Sequence, residues 1–122
     1  MRLKTVMTVA ALLAAPSITL AHGPKVGANG GAQADAGSFH VEVVPKGETL
    51  QVFLRDHSDK AVTTDGFKGL AIFVVDGKPQ RISLTPAGEN RLSGTSSVAL
   101  PASPKGAVQI TIPSGSTLQA KF

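Results

Sequence analysis

Residues 38–55 read SFHVEVVPKGETLQVFLR, and this stretch decides the fold class. Phe39, Val41 and Val43 alternate with His40, Glu42 and Val44. Beyond the turn signal Pro45-Lys46-Gly47-Glu48, Leu50, Val52 and Leu54 alternate with Gln51, Phe53 and Arg55. A period of two sorts residues onto opposite faces of a strand, so two such runs about a Gly-containing turn predict an antiparallel β-hairpin. A turn spanning Pro45 to Glu48 sets Val44 opposite Thr49 and His40 opposite Phe53.

Downstream, the polar loop Asp56 to Gly66 leads into the run Gly69-Leu70-Ala71-Ile72-Phe73-Val74-Val75. Its unbroken apolarity predicts a strand buried on both faces. Asp76-Gly77 tolerates positive φ at both positions and predicts a tight hairpin. Pro79 puts the start of the return strand, which carries Ile82 and Leu84, at a bulge or an edge. Turn residues recur at 86–90, 101–106 and 113–115, with weaker strands around Leu92 to Val98, Val108 to Ile112 and Thr117 to Phe122. About seven short strands with regular turns predict an all-β domain over residues 38–122, an antiparallel β-sandwich of immunoglobulin-like type. Phe39, Phe53 and Phe73 are expected among its large core side chains.

Upstream, residues 22–37 contain five glycines and no apolar periodicity, which predicts a flexible Gly-rich leader. Residues 1–21 have the three-part layout of a secretory signal peptide. Arg2 and Lys4 precede an apolar run from Val6 to Ala15, and small residues lead to a cleavage point after Ala21. No other stretch approaches the roughly 20 apolar residues of a membrane-spanning helix, so no membrane contact is expected after cleavage. Export together with zero cysteine fits a bacterial periplasmic or secreted protein, and the periplasm is the expected location.

The whole chain of 122 residues carries a formal charge of +4, but removing Arg2 and Lys4 leaves ten basic and eight acidic residues, or +2. Those basic residues are scattered, which argues against nucleic acid as a partner. Cysteine, Trp and Tyr are absent, and both Met lie in the first seven positions. Thiolate and thioether chemistry is thereby excluded, and any metal site of the exported chain must use His, Asp or Glu. No nucleophile elbow, phosphate-cradling loop or His-Glu-x-x-His pair is present, so no enzyme is predicted.

The chemistry-bearing residues are His22, His40 and His57 with their acidic neighbours. His40 and Glu42 project from one strand face about 6 to 7 Å apart along the backbone, a spacing from which both can bend toward one ion. His57 is flanked by Asp56 and Asp59, which can act as ligands or hold one ring nitrogen and orient the other. Cleavage after Ala21 gives His22 a free amine beside its imidazole, a chelate suited to Cu(II). In the predicted register His40 and His57 lie roughly 13 Å apart, so His22 pairs more easily with His57 unless the 56–66 loop folds back.

The segments His22-Gly23-Pro24, Asn29-Gly30-Gly31, Asp35-Ala36-Gly37, His40-Val41-Glu42-Val43-Val44 and Asp56-His57-Ser58-Asp59-Lys60 resemble small periplasmic proteins related to the N-terminal domain of heavy-metal efflux adaptor subunits. The resemblance extends to the closing Gln119-Ala120-Lys121-Phe122. It implies a β-sandwich that binds or hands over a divalent metal, with His40, Glu42 and His57 at matching positions. Some relatives carry His where this chain has Asn29. The helical hairpin and barrel domains of a full adaptor are missing.

The expected function is therefore a periplasmic Cu(II) or Zn(II) buffer or carrier, with a heavy-metal efflux component as a candidate partner. The alternative is a β-sandwich interaction module that docks onto an efflux or envelope component, its histidines incidental. An oxidative enzyme built on a copper-bound N-terminal His has no substrate-groove signature to support it.

Overall fold

A computed structural model describes residues 25–122, so the expected signal peptide over residues 1–21 and His22 lie outside the described residues. Nine strands form: β1 (Lys25–Val26), β2 (Ala32–Ala36), β3 (Phe39–Lys46), β4 (Thr49–Asp56), β5 (Lys68–Val75), β6 (Lys78–Pro86), β7 (Arg91–Thr95), β8 (Lys105–Thr111) and β9 (Thr117–Lys121). All pair antiparallel in a single sheet of order β1-β2-β3-β4-β7-β6-β5-β8-β9.

The all-β class is as expected, but the two-sheet immunoglobulin-like sandwich is not what forms. β6 is the reason. Its first seven residues pair with β5, from Lys78 opposite Val75 to Leu84 opposite Gly69. Its last two, Thr85 and Pro86, pair with Ser93 and Leu92 of β7. One strand thus belongs to both halves, and the sheet is continuous. It closes its core by curling into a half-barrel, which brings β2 against β9 without pairing them. At that seam a Cβ on Gly37 would sit 3.2 Å from Leu118 Cδ1.

The inward set follows the period of two. Val41, Val43, Leu50, Val52, Leu54, Ala71, Phe73, Ile82, Leu84, Leu92, Val108, Ile110 and Ala120 are buried together. Phe39 meets Phe67 edge-on with ring centroids 6.1 Å apart, and Phe73 meets Phe122 at 6.3 Å. Phe53, expected in the core, lies on the outer face, because its neighbours Val52 and Leu54 take the inward positions. The continuous apolar run in β5 is likewise buried on one side only: Ala71 and Phe73 point inward, while Val74 is 53% exposed. A single curled sheet has no second layer over its convex face.

Local turn chemistry reads as expected. Asp76 and Gly77 have φ of 51° and 76° in a two-residue hairpin. Pro79 falls where β6 has a partner on one side only.

The bend between β6 and β7 requires Gly94. A Cβ there would lie 2.2 Å from the Ser83 carbonyl oxygen and 2.8 Å from Ile82 Cγ2. Gly94→Ala is expected to cost about 2 kcal/mol by forcing the two strands apart, read as a lowered urea midpoint at unchanged slope. An unchanged midpoint would show that the bend does not depend on this close approach.

Candidate metal centre

The outer face of β1 to β4 carries the candidate residues. The β3–β4 hairpin closes over Gly47 and Glu48, with Gly47 at φ 60°, so Lys46 pairs with Thr49. This turn is two residues shorter than the expected one. A shift of two keeps every residue on its expected face but changes its partners. His40 lies opposite Arg55 rather than Phe53, and on its other side opposite Asp35.

The expected leader is correspondingly not a free segment where it is described. Val26 pairs with Ala32, and Ala32–Ala36 pair with β3. The cause is Glu42, which is buried on the outer face at 2% exposure. The Asn29 N–H donates to its Oε2 at 2.9 Å, Asn29 Nδ2 to its Oε1 at 3.0 Å, and the Gly31 N–H to its Oε2 at 2.8 Å. The turn is closed further by Gly27 N–H to Gly31 O at 2.8 Å. Gly27 has to be glycine here, since a Cβ would lie 2.2 Å from the Glu42 Cδ. Glu42 and His40 therefore share a face without forming the expected chelating pair, because both Glu42 oxygens are taken up by the 27–31 turn. Asn29 serves as one of its donors.

The 56–66 loop does fold back. Arg55 bridges to Ala61, Asp56 N–H donates to Lys60 O at 2.8 Å, and Val62 N–H donates to Leu54 O at 3.1 Å. The residue this brings to His40 is Asp59, in the left-handed region at φ 62°. His57 is exposed on the same turn and makes no hydrogen bond or ion pair among the described residues.

Asp56 accepts from Ser58 N–H at 2.9 Å and from Lys60 N–H at 3.0 Å. The Lys60 hydrogen bond is the main reason its carboxyl is held below the ordinary aspartate value, with Ser58 and the charges of His57 and Lys60 acting in the same direction. A depressed folded pKa contributes stability above the unfolded value of about 3.9, and loses it as pH falls through the folded value. The Ser58 and Lys60 amide shifts are accordingly expected to titrate together in NMR with a midpoint below about 3.9. A midpoint at or above that value would mean that the turn does not hold the ionised carboxylate.

His40 is bracketed by two carboxylates. Its Nδ1 lies 2.6 Å from Asp35 Oδ1 and its Nε2 lies 3.8 Å from Asp59 Oδ1. The short contact suits an Nδ1 proton directed at Asp35, and in the neutral form of that tautomer Nε2 is the lone-pair nitrogen on the side of Asp59. With metal–ligand bonds of about 2.1 Å, tetrahedral donors stand about 3.4 Å apart. Closing the difference needs only a small rotation of Asp59, which is largely exposed. Among the described residues no three His, Asp or Glu side chains gather at one point. His40 Nε2 and Asp59 Oδ1 are thus a two-donor set.

No family model, curated protein or solved structure matches the chain. The site therefore has to be argued from its own geometry. Sequence reading missed Asp35 as the partner of His40, although a histidine in a strand beside a short Gly-Ser turn has its cross-strand neighbour five residues back. It also missed the groove of about 350 Å³ beside His40, lined by Lys25, Gln33, His40, Arg55 and Asp59 together with Val26 and Ala28.

Proposed function

We propose that this protein binds a divalent metal, Cu(II) or Zn(II), in the periplasm as a buffer or carrier, without catalysis of its own. The observation that carries the reading is the Asp35–His40–Asp59 arrangement. A carboxylate on Nδ1 orients the ring and raises its basicity, as in metal-bound histidines generally, and the free Nε2 lies beside a second carboxylate. Imidazole and carboxylate suit both ions, with Cu(II) the tighter on general grounds.

Two donors leave room in the coordination sphere for water, a co-ligand or a further side chain. His22 stays in the proposed ligand set, since it is three residues before Lys25, which lines the same groove. His57 and Asp56 are less suited, His57 because it lies outside the pair and Asp56 because its Oδ1 already accepts two backbone hydrogen bonds. An open, partly exposed site favours exchange with a partner over permanent storage, which accords with handing an ion to a heavy-metal efflux component.

Native mass spectrometry of protein exported by its own signal peptide, with one equivalent of Cu(II) or Zn(II), tests this. One retained ion per chain is expected, together with a mass that starts at His22. Binding no tighter than millimolar for both ions would make the histidines bystanders and overturn the reading.

A further inference from the structure

Basic residues that are scattered along the sequence are sorted by the fold. Residues 25–66, which form β1 to β4 and the loop after them, carry six acidic residues against four basic ones. β5, β6, β8 and β9 with their hairpin turns carry five basic residues against one acidic, Asp76. The alternation of β5 puts Lys68, Leu70, Ile72 and Val74 on the convex face, opposite in direction to the inward Ala71 and Phe73. Neighbouring strands add cations to that face. Arg81 of β6 stands opposite Ile72, Lys105 of β8 opposite Val74, and Lys121 of β9 opposite Ala107, which precedes the buried Val108. Lys68, Arg81, Lys105 and Lys121 are all exposed, and among the described residues none of them enters an ion pair. The face is an apolar stripe ending in the exposed Val74, with cations on both sides of it.

We propose that this convex face docks onto an anionic phospholipid surface. Charge complementarity is the first reason. Each lysine or arginine close to such a surface is drawn to its headgroups, while the acidic half of the domain is repelled, so the charge separation fixes which side turns toward the bilayer. Shape is the second reason. A convex sheet meets a flat bilayer along one strand, here β5 with its Leu70-Ile72-Val74 stripe, whereas it presents no groove to an extended peptide. The apolar tips reach the boundary between headgroups and acyl chains, and the long cationic side chains beside them reach the phosphates. Contact of this kind is peripheral and needs no spanning helix. Leu70 and Ile72 are half-buried already, so the attachment is chiefly electrostatic and therefore weak and reversible. His40 and Asp59 take no part, and the inference stands or falls separately from the metal reading.

The test is co-sedimentation with vesicles, using the chain that begins at His22 so that the apolar run from Val6 to Ala15 is absent. Vesicles of phosphatidylcholine alone are compared with vesicles containing roughly 40% phosphatidylglycerol, whose headgroup carries the negative charge. Binding is expected to the anionic vesicles in about 0.05 M salt, and to neither kind in about 0.5 M salt, where the charges are screened. Lys105→Gln with Lys121→Gln should weaken binding about 25-fold, a factor of about five for each cation. Lys46→Gln with Lys60→Gln removes the same charge from the other half and should weaken it less than about twofold. Val74→Thr keeps the branched strand side chain and every charge, and should weaken binding about threefold through lost apolar contact. Equal losses in the two double variants would overturn the docking face, because net charge alone would then account for binding. No binding to anionic vesicles would overturn it as well. If that result came with salt-sensitive dimerisation in sedimentation equilibrium, abolished by Lys105→Gln with Lys121→Gln, the face would belong to the acidic half of a second copy instead.

Discussion

His40→Ala is expected to weaken Cu(II) and Zn(II) binding at least about 100-fold, the upper end of what loss of an orienting group alone costs. His40 Nε2 is the one imidazole donor that the fold of residues 25–122 places beside a second donor, 3.8 Å from Asp59 Oδ1. Removing it leaves an exposed carboxylate, which holds a transition metal poorly in water. Asp35→Asn is the graded control. It keeps the ring in place but replaces a charged acceptor on Nδ1 by a neutral one, so a loss of roughly tenfold is expected. His57→Ala should change affinity by less than about threefold, within the scatter of a surface substitution. Isothermal titration of the four proteins decides the matter. A large loss with His57→Ala and none with His40→Ala would move the site to the tip of the 56–60 turn.

The second large effect is on stability. Glu42→Ala should lower stability by about 3 kcal/mol, because it removes a buried acceptor of three hydrogen bonds and leaves the buried Gly31 N–H without a partner. For a domain of this size that is a fall of roughly 15 °C in Tm. Hydrogen exchange should localise the damage, with loss of protection at Asn29 and Gly31 well beyond that in the β5–β8 ladder. Metal affinity discriminates the two roles open to this residue. If Glu42 only fastens the 27–31 turn, Glu42→Gln keeps the His40–Asp59 pair and its affinity to within about threefold, a change of the size expected away from a site. An unaltered Tm combined with a large loss of affinity would make Glu42 a ligand after all.

Residues 38–55 show how much was legible and where reading stopped. Alternation placed Val41, Val43, Leu50, Val52 and Leu54 inside and His40, Glu42 and Arg55 outside, as observed. The turn was expected over Pro45-Lys46-Gly47-Glu48, whereas it forms over Gly47-Glu48 alone. Either keeps the faces, so no hydrophobic pattern could choose between them. The choice nonetheless decides whether His40 stands opposite Phe53 or Arg55, and hence what surrounds the site.

Residues 25–37 were opaque for a different reason. β2 reads Ala-Gln-Ala-Asp-Ala, whose small side chains give almost no hydrophobic signal. Its strand character comes from pairing with β3 and from the Glu42 carboxylate collecting the donors of the preceding turn. A buried glutamate cannot be told from a solvent-facing one by its position in an alternating run.

Sequence alone determined the all-β class, the alternation of β3 and β4, the Asp76-Gly77 hairpin and, for the exported chain, the restriction of any metal site to His, Asp and Glu. These follow from local steric preference, from the period of two and from composition, none of which needs a distant partner. Tertiary structure decided the rest: one curled sheet in place of two, and Asp35 and Asp59 in place of Glu42 beside His40. Those outcomes depend on which strands meet and in what register, and hydrogen-bonded pairing between segments far apart in the chain leaves no periodic trace in either one.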